Sequence, residues 1–156
     1  MIKILTVGKT KEATYSNEMD KYLKRIKKYA RVDYVELPDV KGGGKLSMED
    51  LKEAEASQFL KYIRNQDTVV LLDEKGKSYS SRSFSTKIES WQANTSGDLI
   101  FIIGGAYGFG SELKTRSDQK VSLSEMTLTH QMVRLFFIEQ VYRSFTILNG
   151  EKYHHD

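Results

Sequence analysis

Five consecutive apolar residues, Leu99–Ile103, constrain the fold of this chain more than any other feature of its sequence. Residues 1–7, 32–37 and 68–72 are similar short apolar runs, and segments with helical spacing lie between them. Strands that are apolar along their whole length are typical of parallel sheets covered by helices on both faces. We therefore predict a three-layer α/β/α fold with a mostly parallel sheet.

Helical spacing of apolar side chains predicts four helices in the remaining segments. They cover residues 19–30, 47–63, 84–94 and 131–148. Ser47 and Asp50 have the spacing of an N-terminal cap pair, with Asp in place of the usual Glu or Gln. Residues 73–76 read as a tight turn that ends the third strand, because Gly76 closes a short polar run.

The last helix is apolar on more than one side. Met132, Leu135 and Phe136 lie on one side, while Val133 and Phe137 lie on another. A helix of this kind is either central to the core or shared with a second subunit, and the pattern alone does not separate the two. The second alternative predicts a homodimer.

Length and composition suit one soluble domain covering residues 1–156. A chain of this length can bury roughly two thirds of the surface of its unfolded state. The sequence has no cysteine, no apolar run near the ~20 residues of a membrane span, and no signal-peptide pattern at its N-terminus. We expect a cytoplasmic protein with neither a membrane nor a DNA partner.

The charge of the chain is unevenly distributed. Residues 1–31 contain nine Lys and Arg and three acidic residues, so this segment carries a charge of +6. The remainder of the chain carries −3, which gives the net charge of +3. Such asymmetry indicates either a phosphate-rich partner or simply a solvated basic helix face. Charge alone leaves both alternatives open.

Glycines follow the strand 99–103 directly, at Gly104, Gly105 and Gly108. Without side chains in the way, the backbone there can approach a nucleoside cofactor, although the same glycines can also serve only to turn the chain. Ligands of open α/β sheets bind beyond the carboxyl ends of strands, so the strand ends at Leu72 and Ile103 are candidate walls of one pocket. The spacing is not that of the dinucleotide fingerprint, and nicotinamide or flavin is not expected.

Four motifs in the C-terminal third resemble those of the RlmH (YbeA-like) family of SPOUT RNA methyltransferases. They are Ile103-Gly104-Gly105, Leu123-Ser124-x-x-Thr127-x-x-His130, Glu139-Gln140-x-Tyr142-Arg143 and the terminal Tyr153-His154. Val7-Gly8-Lys9 and Leu72-Asp73-x-x-Gly76-Lys77 extend the resemblance over the whole chain. Each motif is weak by itself, but the ordered set is specific.

The resemblance implies a deep trefoil knot in the C-terminal third, a homodimer, and S-adenosylmethionine as methyl donor. It implies that the cofactor is held largely by backbone groups and apolar contacts from Leu72, Gly104, Gly105, Leu123, Ser124, Glu125, Met126, Thr127 and Leu128. No metal site is expected, since the chain has no cysteine and two of its three histidines are adjacent at the terminus.

The substrate that the resemblance implies is N3 of pseudouridine 1915 in helix 69 of 23S ribosomal RNA, on the assembled ribosome. Its imide N–H is weakly acidic, and the deprotonated nitrogen is a good nucleophile. His154 is the candidate base or orienting partner, Tyr153 the candidate stacking residue for the extruded base, and Arg134 the candidate ligand of an RNA phosphate or of the anionic ring.

Two residues depart from the family pattern. Thr129 stands where a Pro commonly precedes the His, and we expect it to loosen the loop. His155 stands where a Lys or Arg commonly follows the Tyr-His pair, and an unperturbed His is largely neutral near pH 7. Lys152 is the nearest cation that can replace the missing charge.

Two other functions are compatible with the sequence. One is a SPOUT-type methyltransferase that acts on transfer RNA, and the other is a ribosome-binding or assembly module without catalysis. Cofactor binding separates the second from an enzyme, because a pure binding module needs no methyl donor.

Overall fold

A computed structural model describes residues 1–155 of the chain, and Asp156, the end of the terminal motif segment, lies outside the described residues. The strands are β1 (Ile2–Val7), β2 (Val32–Leu37), β3 (Thr68–Ser78), β4 (Leu99–Ile103) and β5 (Gln119–Ser122). The helices are α1 (Ala13–Ile26), α2 (Met48–Leu60), α3 (Ser81–Asn94), α4 (Ser111–Arg116) and α5 (Met132–Leu148), with a short 3-10 helix at Gly43–Lys45.

All five strands are parallel and form one sheet in the order β2-β1-β4-β3-β5. Alternate side chains of each strand enter two separate apolar cores. Ile4 and Phe101 pack under α1, α3 and α5, whereas Leu5 and Ile102 pack under α2 and α4. The predicted α/β/α architecture is therefore confirmed; the trefoil knot stays a prediction.

Residues 73–76 do not form the predicted turn at the end of a strand. Strand β3 continues to Ser78, and its pairing with β5 shifts so that Val121 faces both Leu72 and Lys77. The extra residues form a bulge, and a side chain at Gly76 would lie 2.5 Å from the Val121 backbone nitrogen. The prediction was wrong because the partner strand β5 is half polar, so no apolar run marks the strand that pairs with residues 77 and 78.

Helix boundaries differ from the predicted ones where polar residues lead into a helix. Helix α1 begins at Ala13, six residues before the apolar stripe, and α3 begins at Ser81. Helix α4 was not predicted because it has six residues, too few for a periodic pattern. The Ser47 cap is confirmed: its hydroxyl accepts the Asp50 N–H at 3.1 Å and donates to the Asp50 carboxylate at 2.7 Å.

A buried ionic cluster fixes the amino ends of the central strands. Asp67 accepts the Asp98 N–H at 2.8 Å and the Arg64 N–H at 2.7 Å. Burial raises the pKa of Asp67, but these hydrogen bonds outweigh it and hold the pKa below its ordinary value. Lys3 and Arg64 pair with Asp98 at 2.8 and 2.9 Å. The cluster secures the sheet edge opposite to the carboxyl ends of the strands.

None of the helices within residues 1–155 is both long and apolar enough to span a membrane.

Candidate functional site

A cavity opens at the carboxyl ends of β4 and β5, beside the bulge that follows Leu72 in β3. Its volume is about 660 Å³, within the range of ~300–1,000 Å³ that small-molecule sites occupy. Parallel strands all end at the same edge of the sheet, so the segments that follow them converge there. Leu72 and Ile103, which were predicted to wall one pocket, both line it, although Leu72 is followed by the bulge of β3 and not by the end of the strand.

Three segments supply the lining, and they contain every residue predicted to contact a cofactor. The predicted residues are Leu72, Gly104, Gly105, Leu123, Ser124, Glu125, Met126, Thr127 and Leu128. Of the other lining residues, only Ile103, as a pocket wall, and Gly108, as a glycine of the loop, were predicted to lie at the cofactor site. The full set of other lining residues is Asp73, Glu74, Ile103, Ala106, Tyr107, Gly108, Phe109, Val121, Ser122, Thr129, His130 and Val133. Their position beside glycines and strand ends is the only signal by which they were detectable.

The loop after β4 is folded on itself and anchored in the core. The Gly108 N–H donates to the Gly105 carbonyl at 3.3 Å, which closes a tight turn over residues 105–108. Phe109 then enters the apolar core beneath α2 and α4 and is buried. Tyr107 remains exposed at the rim of the cavity. The loop thus presents backbone groups to the cavity while its far end is fixed by packing.

The segment after β5 is held by its own hydroxyl groups. Ser122 donates to the Ser124 carbonyl at 3.2 Å, and the Ser124 hydroxyl accepts the Met126 N–H at 2.9 Å. Met126 is 81% exposed, so its side chain is available to a ligand or partner. Thr129 accepts the Met132 N–H at 3.1 Å, and this residue therefore caps the turn into α5 in place of the family's Pro.

The charged side chains that line the cavity are acidic, and the lining also contains one histidine. Asp73, Glu74 and Glu125 line it together with His130, and the lining contains neither Lys nor Arg. Such a lining attracts cations and repels phosphate groups. The cavity is therefore suited to a positively charged or neutral ligand.

Arg134 lies behind the cavity wall rather than in it. Its side chain is 2% exposed, and its guanidinium is surrounded by five oxygen atoms at 2.7–3.5 Å. They belong to the carbonyls of Val7, Gly8 and His130, the Thr10 hydroxyl and the Glu36 carboxylate. Arg134 thus joins the end of β1 to the start of α5. Its predicted contact with RNA stays a prediction.

The network around Arg134 extends to β2 and the β1–α1 loop. Tyr34 donates to Glu36 at 3.3 Å, and burial raises the pKa of Tyr34 to about 12, so its hydroxyl remains a donor. Gln131 accepts the Lys11 N–H at 3.0 Å. Strand β2 and the β1–α1 loop are therefore fastened to the start of α5 and the turn before it, which carry the cavity residues Val133 and His130.

Tyr153 is fastened between α1 and α5. Its hydroxyl donates to Glu139 at 2.9 Å and lies 3.3 Å from the Tyr22 hydroxyl, while its ring packs edge-on against Tyr142. Burial raises the pKa of Tyr153, and the hydrogen bonds with Tyr22 and Glu139 raise it further. The hydroxyl therefore stays protonated, and the terminal segment is anchored to the body of the protein.

His154 belongs to the same cluster. Its Nδ1 lies 3.2 Å from a guanidinium nitrogen of Arg143, which also pairs with Glu139. Because a guanidinium only donates, Nδ1 accepts, and the neutral ring carries its proton on Nε2. Arg143 lies ten residues beyond the cavity residue Val133 on α5, roughly 15 Å along the helix. Within one chain, Tyr153 and His154 are therefore together, but apart from the cavity.

Within residues 1–155, no cluster of three or more His, Asp or Glu side chains is arranged to hold a metal ion.

The all-parallel sheet covered by helices, with a cavity at the carboxyl ends of its strands, is that of an α/β protein with a candidate ligand site. The family described as "Predicted SPOUT methyltransferase" matches residues 1–154. The chain belongs to this family, and the resemblance inferred from the motifs is confirmed.

Several relatives are similar over their full length. The protein named "Ribosomal RNA large subunit methyltransferase H" in Porphyromonas gingivalis is 43% identical over 155 residues, which are 99% of this chain and 99% of the relative. Proteins of the same name in Christiangramia forsetii and Flavobacterium johnsoniae are 45% and 44% identical over 154 residues, covering 99% of this chain and 98% of each relative.

We expect Arg134→Met to destabilise the fold by about 3–5 kcal/mol, since it leaves the Glu36 carboxylate and buried carbonyls without their donor. Urea unfolding followed by circular dichroism measures this loss. Arg31→Met is the matched control, because Arg31 is exposed. Equal urea midpoints for Arg134→Met and the wild type would show that the hydrogen bonds of Arg134 between β1 and α5 do not stabilise the fold.

Proposed function

We propose that this protein uses S-adenosylmethionine to methylate ribosomal RNA. The observation that carries the proposal is the acid-lined cavity of about 660 Å³ at the carboxyl edge, to which all nine predicted cofactor residues contribute. Membership of the SPOUT methyltransferase family supports methyl transfer. The names of the full-length relatives support ribosomal RNA of the large subunit as the substrate class.

The charge of the cavity supports this cofactor over a nucleotide. S-adenosylmethionine carries a sulfonium and an ammonium group against one carboxylate, so its net charge is positive. The carboxylates of Asp73, Glu74 and Glu125 complement that charge, whereas the lining offers no Lys or Arg to a phosphate. Backbone N–H and C=O groups of the loop after β4 can pair with polar groups of a nucleoside, apart from the Gly108 N–H and the Gly105 carbonyl, which bond to each other.

Apolar side chains on the cavity wall suit the adenine ring. Leu72, Ile103, Val121 and Leu123 lie at the carboxyl ends of neighbouring strands and all line the cavity. Contact with flat apolar walls together with a few fixed polar groups is the usual composition of a small-molecule site. We propose that these residues hold the adenosine, and that Glu125 accepts hydrogen bonds from the ribose or the amino group.

The acceptor that we propose is N3 of pseudouridine 1915 in helix 69 of 23S ribosomal RNA on the assembled ribosome. The bound cofactor supplies an activated methyl group, so the protein must hold N3 in line with it and manage the N3 proton. Tyr153 stacks on the extruded base. His154, with its proton on Nε2, orients the base by donating to a ring carbonyl, and it serves as the base if Nδ1 leaves Arg143.

A homodimer accounts for the distance, within one chain, between the cavity and the terminal cluster of Tyr153, His154, Glu139 and Arg143. The exposed side of α5 carries Met132 and Phe136, which are 41% and 38% exposed, beside the cluster that holds Tyr153. A second copy packed on this side buries both apolar side chains. It also brings the terminal cluster of one protomer toward the cavity of its partner. We propose that the active form is this dimer.

Transfer of labelled methyl from S-adenosylmethionine to ribosomes that lack the modification tests the function. We expect label at a single helix 69 pseudouridine, mapped by mass spectrometry, and none on bulk transfer RNA in parallel. We expect His154→Ala to lower the rate by about a hundredfold or more while cofactor affinity is unchanged. His155→Ala, the neighbouring exposed histidine, is the control.

Label on transfer RNA would instead support the transfer RNA alternative. Cofactor binding without label on any RNA would contradict the proposed substrate, and the absence of cofactor binding would support a non-catalytic module. Unchanged turnover of His154→Ala would remove His154 from the mechanism.

We expect Phe136→Asp to convert the protein from a dimer to a monomer, because it places a charge in the apolar interface. Sedimentation velocity at micromolar concentration measures the change. Tyr62→Asp alters another exposed aromatic residue, just beyond α2, and should leave the dimer intact. A wild-type monomer, or a dimer that survives Phe136→Asp, would contradict this interface.

A further inference from the structure

We propose that exposed cations around the carboxyl end of α1 bind the phosphate backbone of the ribosomal RNA that carries the methyl acceptor. All of these residues are exposed, and together they are called the basic surface: Lys24, Arg25, Lys27, Lys28 and Arg31. Its role rests on the proposed function, because it assigns the place where the RNA of that reaction is held.

The charge excess of the first 31 residues is concentrated at this place. Residues 21–31 contain six Lys and Arg and no acidic residue, so they carry +6, whereas residues 1–20 contain three of each sign and carry no net charge. Lys21 pairs with Glu18. Within residues 1–155, no carboxylate lies within ion-pair distance of any residue of the basic surface. Its charge is therefore not neutralised by the protein itself.

Stabilisation of α1 accounts for only part of this surface. Cations in the last turn of a helix interact favourably with the helix dipole, and Lys24 and Arg25 occupy that turn. The effect falls off within one turn, and Arg31 lies five residues beyond the last residue of α1. A run of unpaired cations that continues past the helix is typical of a surface that binds a polyanion.

Arg25 joins the basic surface to the terminal cluster. Its guanidinium carbon lies 5.6 Å from the centre of the Tyr22 ring and 5.7 Å from that of Tyr142, both within the range of cation–π contacts. The Tyr22 hydroxyl lies 3.3 Å from the Tyr153 hydroxyl, and the Tyr142 ring lies 4.8 Å from the Tyr153 ring. The basic surface therefore begins directly beside the residue proposed to stack on the target base.

The charge of the cavity requires such a second surface. The cavity lining contains three carboxylates and neither Lys nor Arg, so it repels the phosphates that flank a target base. In the proposed dimer, the terminal cluster of one protomer faces the cavity of its partner, and the basic surface flanks this composite site. Phosphate contacts position an RNA without reading its sequence, which leaves recognition of the base to the terminal cluster.

Binding of ribosomes that lack the modification, measured by cosedimentation at several salt concentrations, tests the proposal. The test variant removes three charges from the basic surface: Lys24→Gln, Lys27→Gln and Lys28→Gln. Arg25 is retained because it packs on Tyr22 and Tyr142. The control removes three charges from exposed lysines around α2 and α4, which pack on the other face of the sheet: Lys45→Gln, Lys61→Gln and Lys114→Gln.

We expect the test variant to bind about tenfold more weakly than the wild type at about 0.1 M salt, since each lost phosphate contact releases fewer counterions. The slope of log affinity against log salt should become shallower by about two to three. The control should keep the wild-type slope. The KM for ribosomes should rise in the test variant, whereas the affinity for S-adenosylhomocysteine should be unchanged in both variants.

A wild-type salt slope in the test variant would overturn the proposal, and so would an equal loss of affinity in the control. Binding of the wild type to phosphatidylglycerol vesicles, lost in the test variant while ribosome binding is retained, would assign the surface to a membrane instead. If the wild type binds ribosomes through the basic surface but transfers no methyl group, the proposed function fails and the binding of ribosomal RNA by this surface stands.

Discussion

The common direction of the five strands is the constraint on which the rest of this structure depends. Because β3, β4 and β5 are parallel, the bulge of β3 and the segments that follow β4 and β5 lie at the same edge of the sheet and line one cavity. The opposite edge is closed by the ionic cluster around Asp67. One end of the sheet is therefore closed by hydrogen bonds and ion pairs, and the other end opens into the cavity.

Two helices turn that open edge into a shaped site. Helix α2 reaches the end of the loop after β4 through Glu53, which accepts the Ser111 N–H at 2.6 Å, and α5 is joined to the end of β1 through Arg134. In both contacts a charged side chain binds backbone groups. The loops are thereby fixed by side chains that lie outside the cavity. The terminal cluster of Tyr153 and His154 lies further along α5, and a partner subunit brings this chemistry to the cavity in the proposed dimer.

Sequence patterns predicted the parts of the fold whose burial is continuous. Leu99–Ile103 is apolar at each position because both faces of β4 are covered, and the glycines after it mark the cavity edge. Strand β5 was not predicted because Gln119 and Lys120 are exposed and only Val121 and Ser122 are buried. Short polar elements carry too little periodicity to be detected.

Contacts between residues that are distant in sequence limit how much of the site can be predicted from the sequence. Arg134 reads as a surface cation among apolar neighbours, yet its partners Val7 and Gly8 are more than 120 residues away. Glu53 lies on a helix with many exposed polar residues, and its partner Ser111 is 58 residues away. Neither relation has a local signature, so a single sequence could predict which residues line the cavity but not which residues hold it.

The central claim is that the cavity at the carboxyl edge holds the methyl donor, and backbone amide shifts on titration with S-adenosylmethionine test it most directly. The account predicts saturable shifts at residues 104–109 and 122–130, with smaller changes elsewhere. Shifts confined to other surfaces, such as the groove between Lys28, Glu89 and Asn149, would contradict it, as would the absence of any saturable shift.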